Sequence, residues 1–142
     1  MKEITKETLL KAMKSRDAQE HPVFRECEFK DMDLSGMDLH NMDFTLSSFQ
    51  NVNLERVNFE NCSVENALFD GNSLHGANFQ NANMKTAAFR GCDMRECNFK
   101  EPTFTGLYWS MRSWMTFSQT KQRSGSACTV RRPDRSLAIR NV

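Results

Sequence analysis

Hydrophobic residues recur at every fifth position along most of this chain. From Phe24 to Phe104, seventeen successive positions spaced by five are apolar, and they hold ten of the eleven phenylalanines. Five residues rotate an α-helix by about 500°, so a helix would scatter these positions around its axis. A straight strand has a side-chain period of 2 and would turn every second one to solvent. The pattern therefore predicts a chain that turns a corner every five residues.

The same positions compared at a spacing of 20 residues indicate how the corners are arranged. Phenylalanine recurs in one set, and leucine or methionine recurs in the next. Equivalent residues would lie one strand spacing apart if four corners made one coil. The predicted core of these coils is Phe29, Leu34, Phe49, Leu54, Phe69, Leu74, Phe89 and Met94. The sequence thus predicts an all-β solenoid with four-sided coils.

Two further positions of the five-residue unit carry information. The residue two before each repeated apolar residue is usually small, which leaves room inside the coil, and the intervening residue is usually Asp or Asn. Asp and Asn side chains bond nearby backbone at turns, so we expect them at the corners. Asn72 is the one polar intruder that we expect inside, where its side chain bonds the local backbone. An unsatisfied amide there would cost about 1–3 kcal/mol.

The repeat unit resembles that of a known family. Residues 77–81 (Ala-Asn-Phe-Gln-Asn) and 82–86 (Ala-Asn-Met-Lys-Thr) resemble the pentapeptide-repeat family. The likeness covers residues 22–106, about 60% of the chain, without a skipped or inserted residue. It implies a right-handed quadrilateral β-helix of about four coils. The family's architecture serves unrelated roles, so the resemblance is specific for fold and weak for function.

The ends of a solenoid expose apolar cross-sections and strand edges that need capping. We assign residues 1–21 to an N-terminal helical cap. Its helix is predicted over residues 5–17, with Thr5 as N-cap and an apolar stripe on one side. The stripe is Leu9, Leu10 and Met13, with Lys6, Lys11 and Lys14 facing away. The alternative is a helix that binds a partner or directs secretion.

The repeat frays after residue 106. Trp109 and Trp114 would be the next repeated positions, and a Trp is too bulky for a regular coil, so we expect residues 107–117 to fold over the last coil as a C-terminal cap. Residues 118–142 are rich in Ser, Arg, Lys and Thr and are predicted to form a disordered basic tail. A truncated or foreign C-terminus is the alternative to both.

Length and hydropathy limit the class of protein. The 142 residues suit one domain. No run approaches the roughly 18 apolar residues of a membrane span, and the N-terminus lacks the apolar stretch of a signal peptide. We expect a cytoplasmic bacterial protein, with export without a cleaved signal as the alternative.

Candidate chemistry is sparse. Five cysteines suggest a metal or redox site, but Cys27, Cys62, Cys92 and Cys97 all occupy inward positions and no Cys-x-x-Cys pair exists, so we expect these four to pack in the core. Cys128 in the tail is the one candidate reactive thiol. The three histidines (His21, His40 and His75) fall on different sides of the coil. We therefore expect no metal, no cofactor and no catalysis.

Charge is the feature that points to a function. Residues 24–106 hold seven basic and thirteen acidic residues, a net charge of −6, while the whole chain has +1. The candidate acidic face for binding a partner is Glu28, Asp31, Asp33, Asp38 and Asp43. The candidate basic end is Lys85, Arg90, Arg95 and Lys100, one residue on each side of the last full coil.

These features favour a non-enzymatic module that presents a rigid acidic β-helix surface to a protein partner. Some pentapeptide-repeat proteins mimic DNA and bind type II topoisomerases, so the resemblance implies a DNA-mimic role against DNA gyrase as an alternative. A secreted bacterial effector scaffold is the second alternative. The tail arginines, Arg131, Arg132, Arg135 and Arg140, would give at most weak, salt-sensitive binding to nucleic acid or anionic lipid. We expect a monomer or a weak dimer.

Overall fold

The structure is a computed structural model that describes residues 1–16, 21–103, 107–109 and 138–139. The described part contains one helix, α1 (Lys6–Lys14), and six short strands. The strands are β1 (Lys2–Ile4), β2 (Cys27–Asp33), β3 (Ser48–Asn53), β4 (Ala88–Phe89), β5 (Leu107–Trp109) and β6 (Ala138–Ile139). Between β3 and β4 the chain is held by isolated parallel β-bridges rather than by longer strands.

A corner occurs at every fifth residue, as the sequence predicted. Every fifth residue from Glu26 to Glu101 has a positive φ, and most of these residues are not glycine. At a typical corner the carbonyl of the repeated apolar residue accepts a bond from the third residue after it, as from Cys62 N to Phe59 O at 3.1 Å. A positive φ at the third position is what a type II turn requires.

Residues that are 20 positions apart stack in parallel register. In β2 and β3, Phe29 lies opposite Phe49, and isolated bridges continue the same offset further along the chain. We call each column of residues related by 20 positions a stack. One stack, for example, joins Asp38, Asn58, Asn78 and Asn98 through successive bridges. The 20-residue register and the five-residue corners together give four corners per turn of the chain.

The interior is built from stacked side chains. All eight residues predicted for the core are at most 2% exposed. Along one stack, the rings of Phe29, Phe49, Phe69 and Phe89 are nearly parallel, with centroids 4.6–4.8 Å apart. Rings of neighbouring stacks meet edge to face, as Phe69 and Phe79 do at 6.4 Å and 90°. Both arrangements are favourable aromatic geometries, so the register also aligns the rings.

Asp and Asn side chains hold the corners from outside. Asn58 Oδ1 accepts from Glu60 N at 3.1 Å, and Asn78 Oδ1 accepts from Gln80 N at the same distance. Asn78 also donates to Asn58 Oδ1 at 2.9 Å, which makes this stack a continuous ladder of amides. The expected role of Asp and Asn at the corners is therefore observed, together with bonds between coils.

The N-terminal segment contains a strand that the sequence did not reveal. Strand β1 pairs in parallel with β2, with Ile4 opposite Phe29. Helix α1 follows, and Thr5 caps it by accepting from Thr8 N at 3.2 Å. Leu9 is fully buried, but Leu10 is 38% exposed, so Leu10 does not belong to the buried stripe as predicted.

The described residues beyond 103 continue the register. Tyr108 lies opposite Ala88 and Trp109 opposite Phe89, so the backbone of β5 extends the 20-residue offset, contrary to the expectation that a Trp ends the regular coil. Ala138–Ile139 forms β6, which pairs antiparallel with β5. This short strand differs from the prediction that residues 118–142 are entirely disordered. The rest of the predicted C-terminal cap and tail, including Cys128 and the tail arginines, lies outside the described residues.

Candidate protein-interaction surface

The five acidic residues predicted as one face do not share a face. Glu28 pairs with Ser48, Asp33 with Asn53, Asp38 with Asn58 and Asp43 with Ser63, so these four belong to four different stacks. Residues five positions apart are separated by a corner, and the acidic residues therefore encircle the first coils. The sequence pattern gave their spacing but the single acidic face was an incorrect interpretation of it.

Two of the five carboxylates are already bonded to a basic side chain. Asp38 Oδ1 lies 2.6 Å from His40 Nδ1, and Asp43 Oδ2 accepts from Arg25 Nε at 2.6 Å. Partial burial opposes ionisation of both carboxyls, but the bonds from His40 and Asn58 keep the pKa of Asp38 below its usual range. Bonds from Thr45 and Arg25 do the same for the pKa of Asp43. Asp38 and Asp43 therefore act in holding the backbone at their corners.

The carboxylates of the other three bond only neutral groups among the described residues. Glu28 accepts from Gln50 Nε2 at 2.8 Å, and Asp31 accepts from Asn51 Nδ2 at 2.7 Å. Asp33 Oδ1 accepts from Ser35 N at 2.9 Å, and this backbone bond is the main reason that the pKa of Asp33 is lowered. The acidic residues thus divide into two whose carboxylates contact a basic side chain, Asp38 and Asp43, and three whose carboxylates contact none among the described residues.

A groove lies where Asp31 and Asp33 meet the coils above them. It has a volume of about 350 Å³ and is lined by residues 31–33, 51–53 and 71–73, which we call the corner groove. Strands β2 and β3 run through this corner without interruption. The corner groove therefore lies along one corner of the repeat and spans three successive coils, beginning with the coil that contains Asp31.

Asn72 forms the inner wall of the corner groove. Its Nδ2 donates to Phe49 O at 2.7 Å and to Phe69 O at 3.0 Å, and its Oδ1 accepts from Val52 N at 2.9 Å. At a typical corner the two backbone groups equivalent to Phe49 O and Val52 N bond each other directly, as Cys62 N and Phe59 O do. The bonds of Asn72 thus reach the coil below, in addition to the local bond that the sequence predicted.

Ser47 plays the same part at another corner and was missed as a buried polar residue. Its hydroxyl donates to Phe24 O. The same hydroxyl accepts from Cys27 N at 3.1 Å. Both Ser47 and Asn72 stand 23 positions after the carbonyl they bond, and both occupy the inward position of the repeat. A polar residue at the inward position is therefore the sequence signal for a corner whose backbone groups are bonded by a side chain from the next coil.

The predicted basic residues also lie on four different sides. Arg95 makes a two-bond ion pair with Asp93, at 2.9 and 2.7 Å, and Arg90 Nη1 lies 3.7 Å from Asp70 Oδ2. Lys85 and Lys100 have no ion pair with any described residue. The four cations therefore do not form one patch, and two of them are partly neutralised.

The interior offers packing rather than reactive groups. Burial raises the pKa of Cys62 and of Cys92 to about 12, and each thiol donates to a carbonyl of the coil below. His40 and His75 are half-exposed and bond Asp38 and Glu96 respectively. Within the described ranges, no group of three His, Cys, Asp or Glu residues could hold a metal ion. Helix α1 is too short to cross a membrane, and the described part contains no other helix.

The repeat seen in the structure is also found by comparison with known protein families. A family model described as pentapeptide repeat region matches residues 23–110. No curated protein matches the sequence. Among solved structures, HetL, a pentapeptide repeat protein involved in heterocyst differentiation regulation from the cyanobacterium Nostoc sp. strain PCC 7120, is 19% identical with a TM-score of 0.41. That match covers 61% of this chain and 46% of HetL.

Two further solved structures are similar. Rfr23, a pentapeptide repeat protein from the cyanobacterium Cyanothece 51142, is 21% identical with a TM-score of 0.36, over 66% of this chain and 68% of Rfr23. QnrB1, a plasmid-mediated fluoroquinolone resistance protein, is 19% identical with a TM-score of 0.30, over 75% of this chain and 50% of QnrB1. The chain thus spans about half the length of HetL and of QnrB1.

Proposed function

The chain belongs to the pentapeptide repeat family, and we propose that it is a non-enzymatic module that binds a protein partner through the outer surface of its first coils. Proteins of this family form right-handed β-helices and are generally interaction modules. We further propose that residues 22–106 form a right-handed quadrilateral β-helix of about four coils, and that β1 and α1 cap its N-terminal end.

One observation carries the proposal. Among the described residues, packed apolar side chains occupy the interior, and the charged side chains lie on a rigid outer surface. The stacked rings and the amide ladder fix the backbone that presents the outer side chains. Binding to such a surface costs little ordering entropy, because the side chains are already positioned. The acidic residues of the first coils make a basic partner surface the best complement.

The proposal is tested by affinity capture with the full chain as bait. In the acidic variant Glu28 becomes Gln, and Asp31, Asp33, Asp38 and Asp43 become Asn. In the control variant Lys85, Arg90, Arg95 and Lys100 all become Gln. We expect the native chain and the control to enrich the same protein and the acidic variant to lose it. Enrichment of nothing, or equal enrichment by all three proteins, contradicts the proposal.

The second candidate function is a DNA mimic that binds a type II topoisomerase. The observation that favours it is the ring of carboxylates around the first coils, since a rigid array of negative charge is the complement of a DNA-binding surface. A supercoiling titration of DNA gyrase, with and without a quinolone, tests it. Inhibition or drug protection by the native chain, absent in the acidic variant, supports this role, and no effect excludes it.

A further inference from the structure

The strands of this structure pair along one side of the coil. Strand β2 pairs with β3, bridges join Ser48 to Leu68 and Leu68 to Ala88, and β4 pairs with β5. Backbone hydrogen bonding therefore continues along this side from coil to coil, so its outer side chains stand in regular columns. We call it the sheet side, and it comprises residues 27–31, 47–51, 67–71 and 87–91.

Two successive coils present rows of different shape on the sheet side. Leu68 is exposed and protrudes, whereas Ala88, directly above it in the stack, is small and buried. Each row includes the corner residue at either end. The lower row is Asn66, Leu68, Asp70 and Gly71, and the upper row is Thr86, Ala88, Arg90 and Gly91. The lower row therefore has a projection where the upper row has a shallow hollow.

The two rows also carry opposite charges at matching positions. Asp70 and Arg90 are both exposed, and Arg90 Nη1 lies 3.7 Å from Asp70 Oδ2. This distance is longer than a hydrogen bond, so the two side chains form a loose ion pair within one chain. The carboxylate is nevertheless fixed in place, because its Oδ1 accepts from Arg90 N at 2.7 Å. A second pair of opposite charges placed against them would meet a preformed arrangement.

The two ends of the rows differ in bulk. At one end Gly71 and Gly91 have φ values of 78° and 69°, a conformation that glycine adopts without a Cβ penalty. At the other end Thr86 Oγ1 donates to Asn66 Oδ1 within the chain. A second chain can therefore approach the glycine corner closely, and it meets neutral polar groups at the opposite corner.

We propose that the sheet side joins two copies of this chain. A twofold axis that runs parallel to the strands, midway between the two rows, turns the lower row of one copy onto the upper row of the other. The facing residues are then Leu68 with Ala88, Asp70 with Arg90, Asn66 with Thr86 and Gly71 with Gly91. Each contact occurs twice, because an isologous interface uses the same surface on both copies.

Charge selects this arrangement among those that the sheet side allows. The axis between the rows brings two aspartates and two arginines together as alternating charges. An axis through either row would instead place Asp70 against Asp70, or Arg90 against Arg90, and facing like charges repel. The charges therefore fix the register of the two copies.

The dimer is weak because the contact is small. Four coils about 4.8 Å apart and five residues of about 3.3 Å give an area of about 300 Å² per copy, against about 800 Å² in a stable complex. The acidic residues of the first coil lie beyond the two facing rows. The inference thus goes beyond the proposed function without competing with it for the same surface.

Sedimentation equilibrium of the purified full chain, at up to about 1 mM because the contact is small, measures the self-association. We expect the native chain to dimerise, and D70R and R90D each to dimerise at least about tenfold more weakly, because like charges then face each other. The control variants E60R and K100D make the same changes in charge two corners away. We expect them to dimerise within about twofold of native, because salt screens charges at that distance.

Charge reversal also provides a rescue. In an equimolar mixture of D70R and R90D opposite charges face each other again, and the double variant D70R/R90D restores them within one protein. We expect both samples to dimerise as the native chain does. The double variant also keeps an opposite pair inside each chain, so a folding fault in a single variant does not decide the test. A monomeric native chain, single variants that dimerise as native does, or a mixture that stays monomeric would each overturn the inference.

The position of the contact is read from nuclear magnetic resonance of the ¹⁵N-labelled full chain. We expect the amide signals of residues 66–71 and 86–91 to shift as concentration rises, and those of residues 57–61 and 97–101 to stay unchanged. Shifts confined to other residues would overturn the sheet-side contact. Both measurements use the purified chain alone, so their outcome is independent of whether a partner is captured.

Discussion

Asn72 supports a corner of the coil below its own. Its side chain is 3% exposed and satisfies Val52 N, Phe49 O and Phe69 O. Each backbone group left buried without a partner costs about 1–3 kcal/mol. The amide is therefore a structural requirement of this corner, although most equivalent positions hold small apolar residues.

Replacing Asn72 with alanine should be costly for this reason. We expect N72A to lower the free energy of unfolding by about 2–4 kcal/mol, measured by urea denaturation of the full chain. The control is Q80A, which removes an amide from the surface, and we expect a change below about 0.5 kcal/mol. A loss in N72A no larger than in Q80A would contradict the role given to Asn72.

Leu46 and Leu68 form a matched pair for testing the corner conformation. Each is 43% exposed, but only Leu46 has a positive φ, of 62°. The left-handed conformation costs a non-glycine residue about 1–2 kcal/mol. Glycine at a normal φ costs about 0.5–1 kcal/mol instead.

The two glycine substitutions should therefore act in opposite directions. We expect L46G to raise the midpoint of thermal unfolding and L68G to lower it, in scanning calorimetry of the two variants. Destabilisation of similar size in both would mean that the corner places no strain on Leu46.

Acid should weaken the fold through the corner aspartates. Bonds to Ser35, His40, Thr45 and Arg95 keep the pKa values of their aspartates below the usual range in the folded protein. A lowered folded-state pKa adds stability above the unfolded-state pKa of about 3.9, and that stability is lost as pH falls through the folded-state pKa. We expect the free energy of unfolding to fall steeply below about pH 4, and less steeply in D38N/D43N. A flat profile between pH 6 and pH 3 would contradict this account.

At the level of elements, β1 and α1 contact the first coil. Strand β1 pairs with β2, and the side chain of Arg16, just after α1, donates to His40 O at 2.8 Å. Ile4 and Leu9 join the same buried cluster as the first coil. These contacts support a capping role, because an uncovered coil would leave both an apolar surface and strand edges exposed.

Neighbouring leucines of α1 provide the test of that role. Leu9 is fully buried and Leu10 is 38% exposed. We expect L9A to lower the free energy of unfolding by about 2–5 kcal/mol and L10A by less than about 1 kcal/mol, measured by urea denaturation. Equal and small effects would show that the helix does not close the end of the solenoid.

The sequence predicted the repeated elements well because their cause is local. A repeated apolar residue, a small inward residue and a corner residue recur in each unit, so the period alone reveals the corners and the core. Strand β1 escaped prediction because Lys2–Ile4 has no repeat pattern and pairs only with the edge that β2 offers. The grouping of the acidic residues also escaped, because successive carboxylates turn to different sides at each corner. Some of their partners are close in sequence, as His40 is to Asp38, and others are brought near only by folding, as Arg25 is to Asp43.

For the whole molecule, regular stacking converts sequence spacing into a surface of fixed geometry. The described first coils carry most of the negative charge, while cations appear in the last full coil. In the proposed function, a surface of this kind binds its partner by charge complementarity.

The most direct test of this account is the affinity of the captured partner for the native chain and for the acidic variant, measured at low and high salt. We expect binding to the acidic variant to be at least tenfold weaker at low salt, and the difference to shrink at high salt because screening weakens exposed charges. Dissociation constants that agree within twofold at low salt, for two proteins that are both folded at the assay temperature, would contradict an acidic interaction surface.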